Sequence, residues 1–156
     1  MKRRDLRVSL VATGLLLGAA MGVQGQTTNP RFGVWKMRSD APPPSINIMT
    51  YEAYGDGGMS ITVESTNREG RESKWGYVTM FDGEFRTVTG QQGSETAVEI
   101  VDERTTRILN KRNGRVGTVI INTLSEDGNT ISNEYVRLDE NGDIVRVTHA
   151  VYERIQ

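Results

Sequence analysis

Glycine-bearing turns recur from residue 55 onward and cut the chain into segments too short for most helices but well suited to strands. Gly55-Asp56-Gly57-Gly58, Asn67-Arg68-Glu69-Gly70, Phe81-Asp82-Gly83, Gly90-Gln91-Gln92-Gly93, Arg112-Asn113-Gly114, Ser125-Glu126-Asp127-Gly128 and Asp139-Glu140-Asn141-Gly142 punctuate it. Gly takes positive φ at little cost, and Asn-Gly is the strongest short hairpin signal. Between the turns, apolar and polar residues alternate, most plainly at Met59, Ile61 and Val63 against Ser60, Thr62 and Glu64. That period of two marks a strand with one apolar and one wet face. Beyond residue 31 no window keeps apolar residues at i, i+3, i+4 and i+7. The spacing therefore predicts an all-β chain of about ten strands.

The strands are expected at 32–37, 46–54, 59–64, 74–80, 84–89, 96–101, 104–111, 115–124, 130–138 and 144–154. Residues 39–45 hold Pro42-Pro43-Pro44 and read as an extended link, because proline removes a donor and fixes φ. In the eighth strand Val119-Ile120-Ile121 stand together, which predicts burial on both sides or close packing at one end. Hairpin-length connections favour an up-and-down antiparallel meander. The twist of a long meander brings its last strand to its first, and closure into a β-barrel removes both edges.

The N-terminus reads as a targeting segment. Lys2, Arg3, Arg4 and Arg7 form a basic start, an apolar run follows from Val8 to Met21, and Val23-Gln24-Gly25 fits a cleavage site. The expected division is a signal peptide at 1–25, a polar flexible arm at 26–31 containing Pro30, and a single barrel domain at 32–156. An exported protein, periplasmic or extracellular, follows from that layout; a retained N-terminal anchor is the alternative. The chain has no Cys, so disulfides, thiolate metal sites and Cys nucleophiles are excluded. Charge is nearly balanced, 19 Lys and Arg against 20 Asp and Glu, which argues against nucleic acid as a partner. Contact with a membrane is expected only through an uncleaved signal, and the protein is expected to be a monomer.

With the strands placed, Phe32 to Arg154 resembles the calycins, the group of lipocalins and fatty-acid-binding proteins. Gly33-Val34-Trp35 stands at the start of the meander and Val151-Tyr152-Glu153-Arg154 at its end. Thr50 to Gly57, Phe81-Asp82-Gly83 and Val88-Thr89-Gly90 are also similar to a group of small exported bacterial proteins without an assigned function. The resemblance implies that Trp35 plugs one end of the barrel while Gly33 permits close approach of another segment. Two departures limit it. Fatty-acid-binding proteins carry an Arg two residues before the closing Tyr, where Ala150 stands here, and a helical pair where the Pro-rich link stands.

Little points to catalysis. His149 is the single histidine and shares its strand face with Val147 and Val151. One His and no Cys do not supply a zinc site. Asp139 to Asp143 has closely spaced oxygen ligands but lacks the distal Glu of a calcium loop. The expectation is therefore no enzyme, no cofactor and no metal. The interior is more informative. If Tyr152 points inward, so do Ala150, Thr148 and Arg146. Trp75 and Tyr77, and Tyr135 and Arg137, offer further lining on the same logic. The ligand-binding set is Trp75, Tyr77, Tyr135, Arg146 and Tyr152, suited to a small apolar or amphipathic molecule with an anionic end. The competing arrangement puts the arginines outside a solid Val and Ile core, leaving a protein-interaction module with no small ligand.

Overall fold

The computed structural model describes residues 28–156. The expected signal peptide and the first residues of the arm lie outside the described residues. Ten strands follow in order: β1 (Gly33–Met37), β2 (Ile46–Tyr54), β3 (Gly58–Thr66), β4 (Glu72–Thr79), β5 (Arg86–Thr87), β6 (Ser94–Ile100), β7 (Thr105–Arg112), β8 (Arg115–Leu124), β9 (Thr130–Leu138) and β10 (Ile144–Arg154). No helix interrupts them among the described residues. They form one antiparallel sheet in the order β4-β3-β2-β1-β10-β9-β8-β7-β6-β5. First and last strands pair, Trp35 opposite Arg154 and Met37 opposite Tyr152. The fold is thus the up-and-down barrel that the turn spacing predicts.

The two free edges, β4 and β5, meet through a narrow seam. Gly76 N donates to Thr89 O at 3.0 Å and Thr89 N donates to Gly76 O at 2.8 Å. Gly90 lies beside this contact at φ +83, and a Cβ there would sit 2.5 Å from Lys74 O. The expected strand at 84–89 keeps ladder pairing only at Arg86 and Thr87. The reason is local: Asp82 Oδ1 accepts from Glu84 N at 3.1 Å, and both Asp82 carboxylate oxygens accept from Arg86 at 2.7 Å. Side chains take up the donors and acceptors that a longer strand would use.

Near one end of the barrel the core closes around Trp35. Trp35 is 0% exposed; its Nε1 donates to Arg31 O at 2.9 Å, and the Arg154 guanidinium lies 4.1 Å from the ring centroid. Arg154 also donates to Gly128 O, Phe32 O and Pro30 O, tying the chain's entry to the last strand. The close approach expected at Gly33 is real: at φ +142, a Cβ would collide with Gln156 O and sit 2.6 Å from Arg154 Nη1. Above Trp35, Met49, Ile61, Val63, Val98, Ile108, Ile120, Leu124 and Ile131 pack as one core. In the Val119-Ile120-Ile121 run, Ile120 enters that core while its neighbours are half-buried on the outer face, so burial is two-sided but unequal.

Candidate ligand site at the open end of the barrel

Period two decides which side chains reach the interior. On β10, Tyr152 is 4% exposed and Ala150 packs against the core, whereas Val145 and Val147, on the outer face, are 58% and 48% exposed. The inward face is therefore the one that carries Thr148 and Arg146. Arg146 lies on it at the rim, exposed to solvent rather than enclosed. The strand outruns the depth of the barrel, so the same parity that buries Tyr152 at one end delivers Arg146 to the mouth at the other.

The interior beneath the mouth is polar in an ordered way. Arg31, grouped by sequence with the flexible arm, is 4% exposed and enters the barrel. Its Nε donates to Asn122 Oδ1 at 3.3 Å, and its Nη2 donates to Arg104 O and to Asn122 O. Asn122 Nδ2 donates to Asn133 Oδ1 at 2.8 Å, and Asn133 Nδ2 donates to the Tyr135 hydroxyl oxygen at 3.2 Å. A guanidinium can only donate. Arg31 therefore fixes which end of each amide faces which neighbour, and donation runs one way from Arg31 to Tyr135. Burial lowers the pKa of Arg31, and the nearby Tyr51 and Asp102 act in the opposite sense. It makes no ion pair with any described residue. The carbonyls and the amide supply its compensation, which an enclosed charge needs.

Four tyrosines converge on the same space. Burial pushes the phenols of Tyr51, Tyr77 and Tyr152 upward, with neighbouring tyrosines as smaller causes, so they are neutral across the physiological range. Tyr152 faces the Tyr135 hydroxyl, and Trp75 stacks on Tyr77 with centroids 6.3 Å apart at 15°.

Over this floor the barrel opens into a recess of about 490 Å³, bounded inside by Trp75, Thr96, Asn110, Thr118 and Arg137. A smaller pocket of about 190 Å³ adjoins it, sharing Thr118 and Arg137 and adding Tyr135, Arg146 and Thr148. Of the five residues assigned by sequence, Trp75, Tyr135 and Arg146 line these spaces, while Tyr77 and Tyr152 lie in the core below. The recess is open, not an enclosed cavity. Sequence reasoning left Asn110, Thr96 and Thr118 out of the lining; the signal was available, since each shares the inward parity of a core neighbour, Ile108, Val98 and Ile120. Nothing marked Arg31.

No family model matches the chain, and no curated protein does either. Solved structures do. The fluorescent protein UnaG superposes with a TM-score of 0.55 at 14% identity, over 79% of this chain and 96% of that one. Two single-site variants of UnaG superpose with TM-scores of 0.57 and 0.54 at 13% and 12% identity, covering 81% and 80% of this chain and 97% and 95% of theirs. The fold is that of the calycins, of fatty-acid-binding-protein type. At such identity the likeness concerns architecture alone. Within that architecture, residues 38–45 form a short link between β1 and β2, and Ala150 stands two residues before Tyr152.

Proposed function

We propose that the protein is an exported, non-enzymatic carrier of a small amphipathic molecule, seated in the open half of the barrel with its charged end at the mouth. The observation that supports this best is the division of the interior. The core closes around Trp35 near one end, beneath a recess of about 730 Å³ among Arg31, Phe32, the 55–58 turn, Phe81 and Thr106, while the other end opens on about 490 Å³ lined by Trp75 and by hydrogen-bonding side chains. That is the size and mixed character of a small-molecule site. The calycin fold suits such a role, and the basic start and apolar run before residue 26 support export.

The test is native mass spectrometry of protein purified from its own host, together with tryptophan fluorescence of Trp75. A retained small molecule whose removal changes the emission, with the change lost in Trp75→Phe, is the expected result. Protein that carries no molecule and emits identically before and after extraction would count against the reading.

A protein-interaction role draws on a different surface. Leu109, Val119, Val136 and Val147 pair in succession across β7 to β10 and form an apolar row on the outer face. Val147→Asp should leave small-molecule binding unchanged under the carrier reading, because that side chain faces away from the recess.

A further inference from the structure

We infer that Tyr135, Arg137 and Arg146, with the hydroxyls of Thr118 and Thr148, form an oxyanion cradle at the mouth of the barrel. The cradle takes the head of a ligand carrying two negative charges, such as a phosphate monoester. This rests on the carrier reading and names the chemistry of its ligand's polar end.

Three observations carry it. Arg137 and Arg146 stand directly opposite each other on β9 and β10, on the same face of the sheet. Like charges opposed across a ladder destabilise it, yet neither guanidinium makes an ion pair with a described residue. The pair is short of a counter-charge, and the pocket they line contains no carboxylate.

The second is the sense of the hydrogen-bond chain. Because Arg31 can only donate, Asn133 must present its NH₂ to Tyr135, whose oxygen accepts that bond at 3.2 Å. The contact with Tyr152 favours the neutral Tyr152 phenol as donor to that same oxygen, so the Tyr135 proton is left for the small pocket that Tyr135 lines with both arginines. An anion there is met by a phenol donor and two guanidiniums, with the hydroxyls of Thr118 on β8 and Thr148 on β10. Arg forks match the paired oxygens of a phosphate or carboxylate, and charge-assisted bonds are the strong ones.

The third is the backbone. β10 has a register irregularity between Ile144 and Arg146, and β7 has one between Asn110 and Lys111. Both fall at the open end of the barrel. Bulges at barrel rims re-aim side chains, and the first adjoins Arg146. The pocket volume of about 190 Å³ suits a head group and no more, and the larger recess adjoining it receives the body.

The experiment is calorimetric titration of the processed protein with three probes: 2-naphthyl phosphate, 2-naphthol and inorganic phosphate. Wild type should prefer the phosphate ester over the alcohol. Arg137→Met and Arg146→Met should each weaken the ester about tenfold while leaving 2-naphthol unchanged, the loss expected for one charge-assisted bond. Tyr135→Phe should reduce the same preference, since it removes only the hydroxyl. Circular dichroism melting of each variant guards against a folding defect, and Thr148→Val supplies a milder lesion should Tyr135→Phe prove unstable. If the double arginine variant keeps the wild-type ratio of ester to alcohol, the cradle is wrong although the barrel still binds. If neither naphthyl compound binds but inorganic phosphate shifts the Tyr135 ring resonances, the cradle stands and the carrier reading fails. Silence from all three probes overturns both.

Discussion

At the residue scale the end that closes around Trp35 is organised by one pair. Trp35 is enclosed by the barrel, anchored through its indole N–H and capped by Arg154, so its truncation removes packing, a hydrogen bond and a cation–π contact together. Trp35→Ala should cost about 3–5 kcal/mol in urea unfolding, the range for large buried aromatics. A loss below about 1 kcal/mol would contradict the closure described above. Trp35 was legible because Gly33-Val34-Trp35 at the head of a meander resembles the opening strand of the calycins, and that resemblance implies a plugging tryptophan. Arg31 was not. A basic residue after Pro30 in a polar stretch reads as a solvated arm, and nothing local reveals that Asn122, ninety-one positions away, accepts from it. Arg146 falls between these cases. Its face was readable from Tyr152 by parity, but its exposure depends on how far β10 overhangs the barrel, which is a property of register rather than of sequence period.

At the element scale the turns carry more than geometry. Asp82, Asp102 and Asp127 each accept a backbone N–H two residues on, at 3.1, 2.8 and 3.0 Å, the side-chain mimicry that makes Asp a turn former. These bonds favour the ionised carboxylate, and their pKa values are lowered; the largest cause is the Arg86 hydrogen bond for Asp82, the Arg104 backbone N–H for Asp102 and the Ser125 hydroxyl for Asp127. A group with a depressed folded-state pKa adds stability that is complete above its unfolded value and lost as pH falls through the folded one. The fold should therefore hold its stability down to about pH 4 and lose it progressively below, following the ordinary carboxylate range. Asp82→Asn should flatten that acid limb while changing stability less at pH 3 than at pH 7, as urea midpoints at the two values would show. The turn signals made all ten strands legible, but β5 came out shorter than its sequence suggests because Asp82 and Arg86 engage each other locally.

For the whole molecule, what the chain spells out is a strip, and what it does not spell out is how firmly the strip is clasped. Nine of the ten strand neighbours follow from hairpins or from the meeting of first and last strands. The remaining junction rests on Gly76 and Thr89, with two hydrogen bonds in place of a ladder. Thr89→Pro deletes the N–H that donates to Gly76 O. Hydrogen–deuterium exchange should then accelerate along the exposed edge of β4 while β1 and β10 stay protected, and equal exchange in both regions would show that the junction is not separately labile. Under the proposed carrier role, such a slit would separate how tightly a cargo is held from how long it stays. Recognition would belong to the mouth, where Arg137 and Arg146 stand. Escape needs only a sideways gap, and a two-bond clasp opens far more often than the barrel unfolds. Residence time in this protein would then be set at Gly76 and Thr89 and affinity at Arg137 and Arg146, so that each could change without the other.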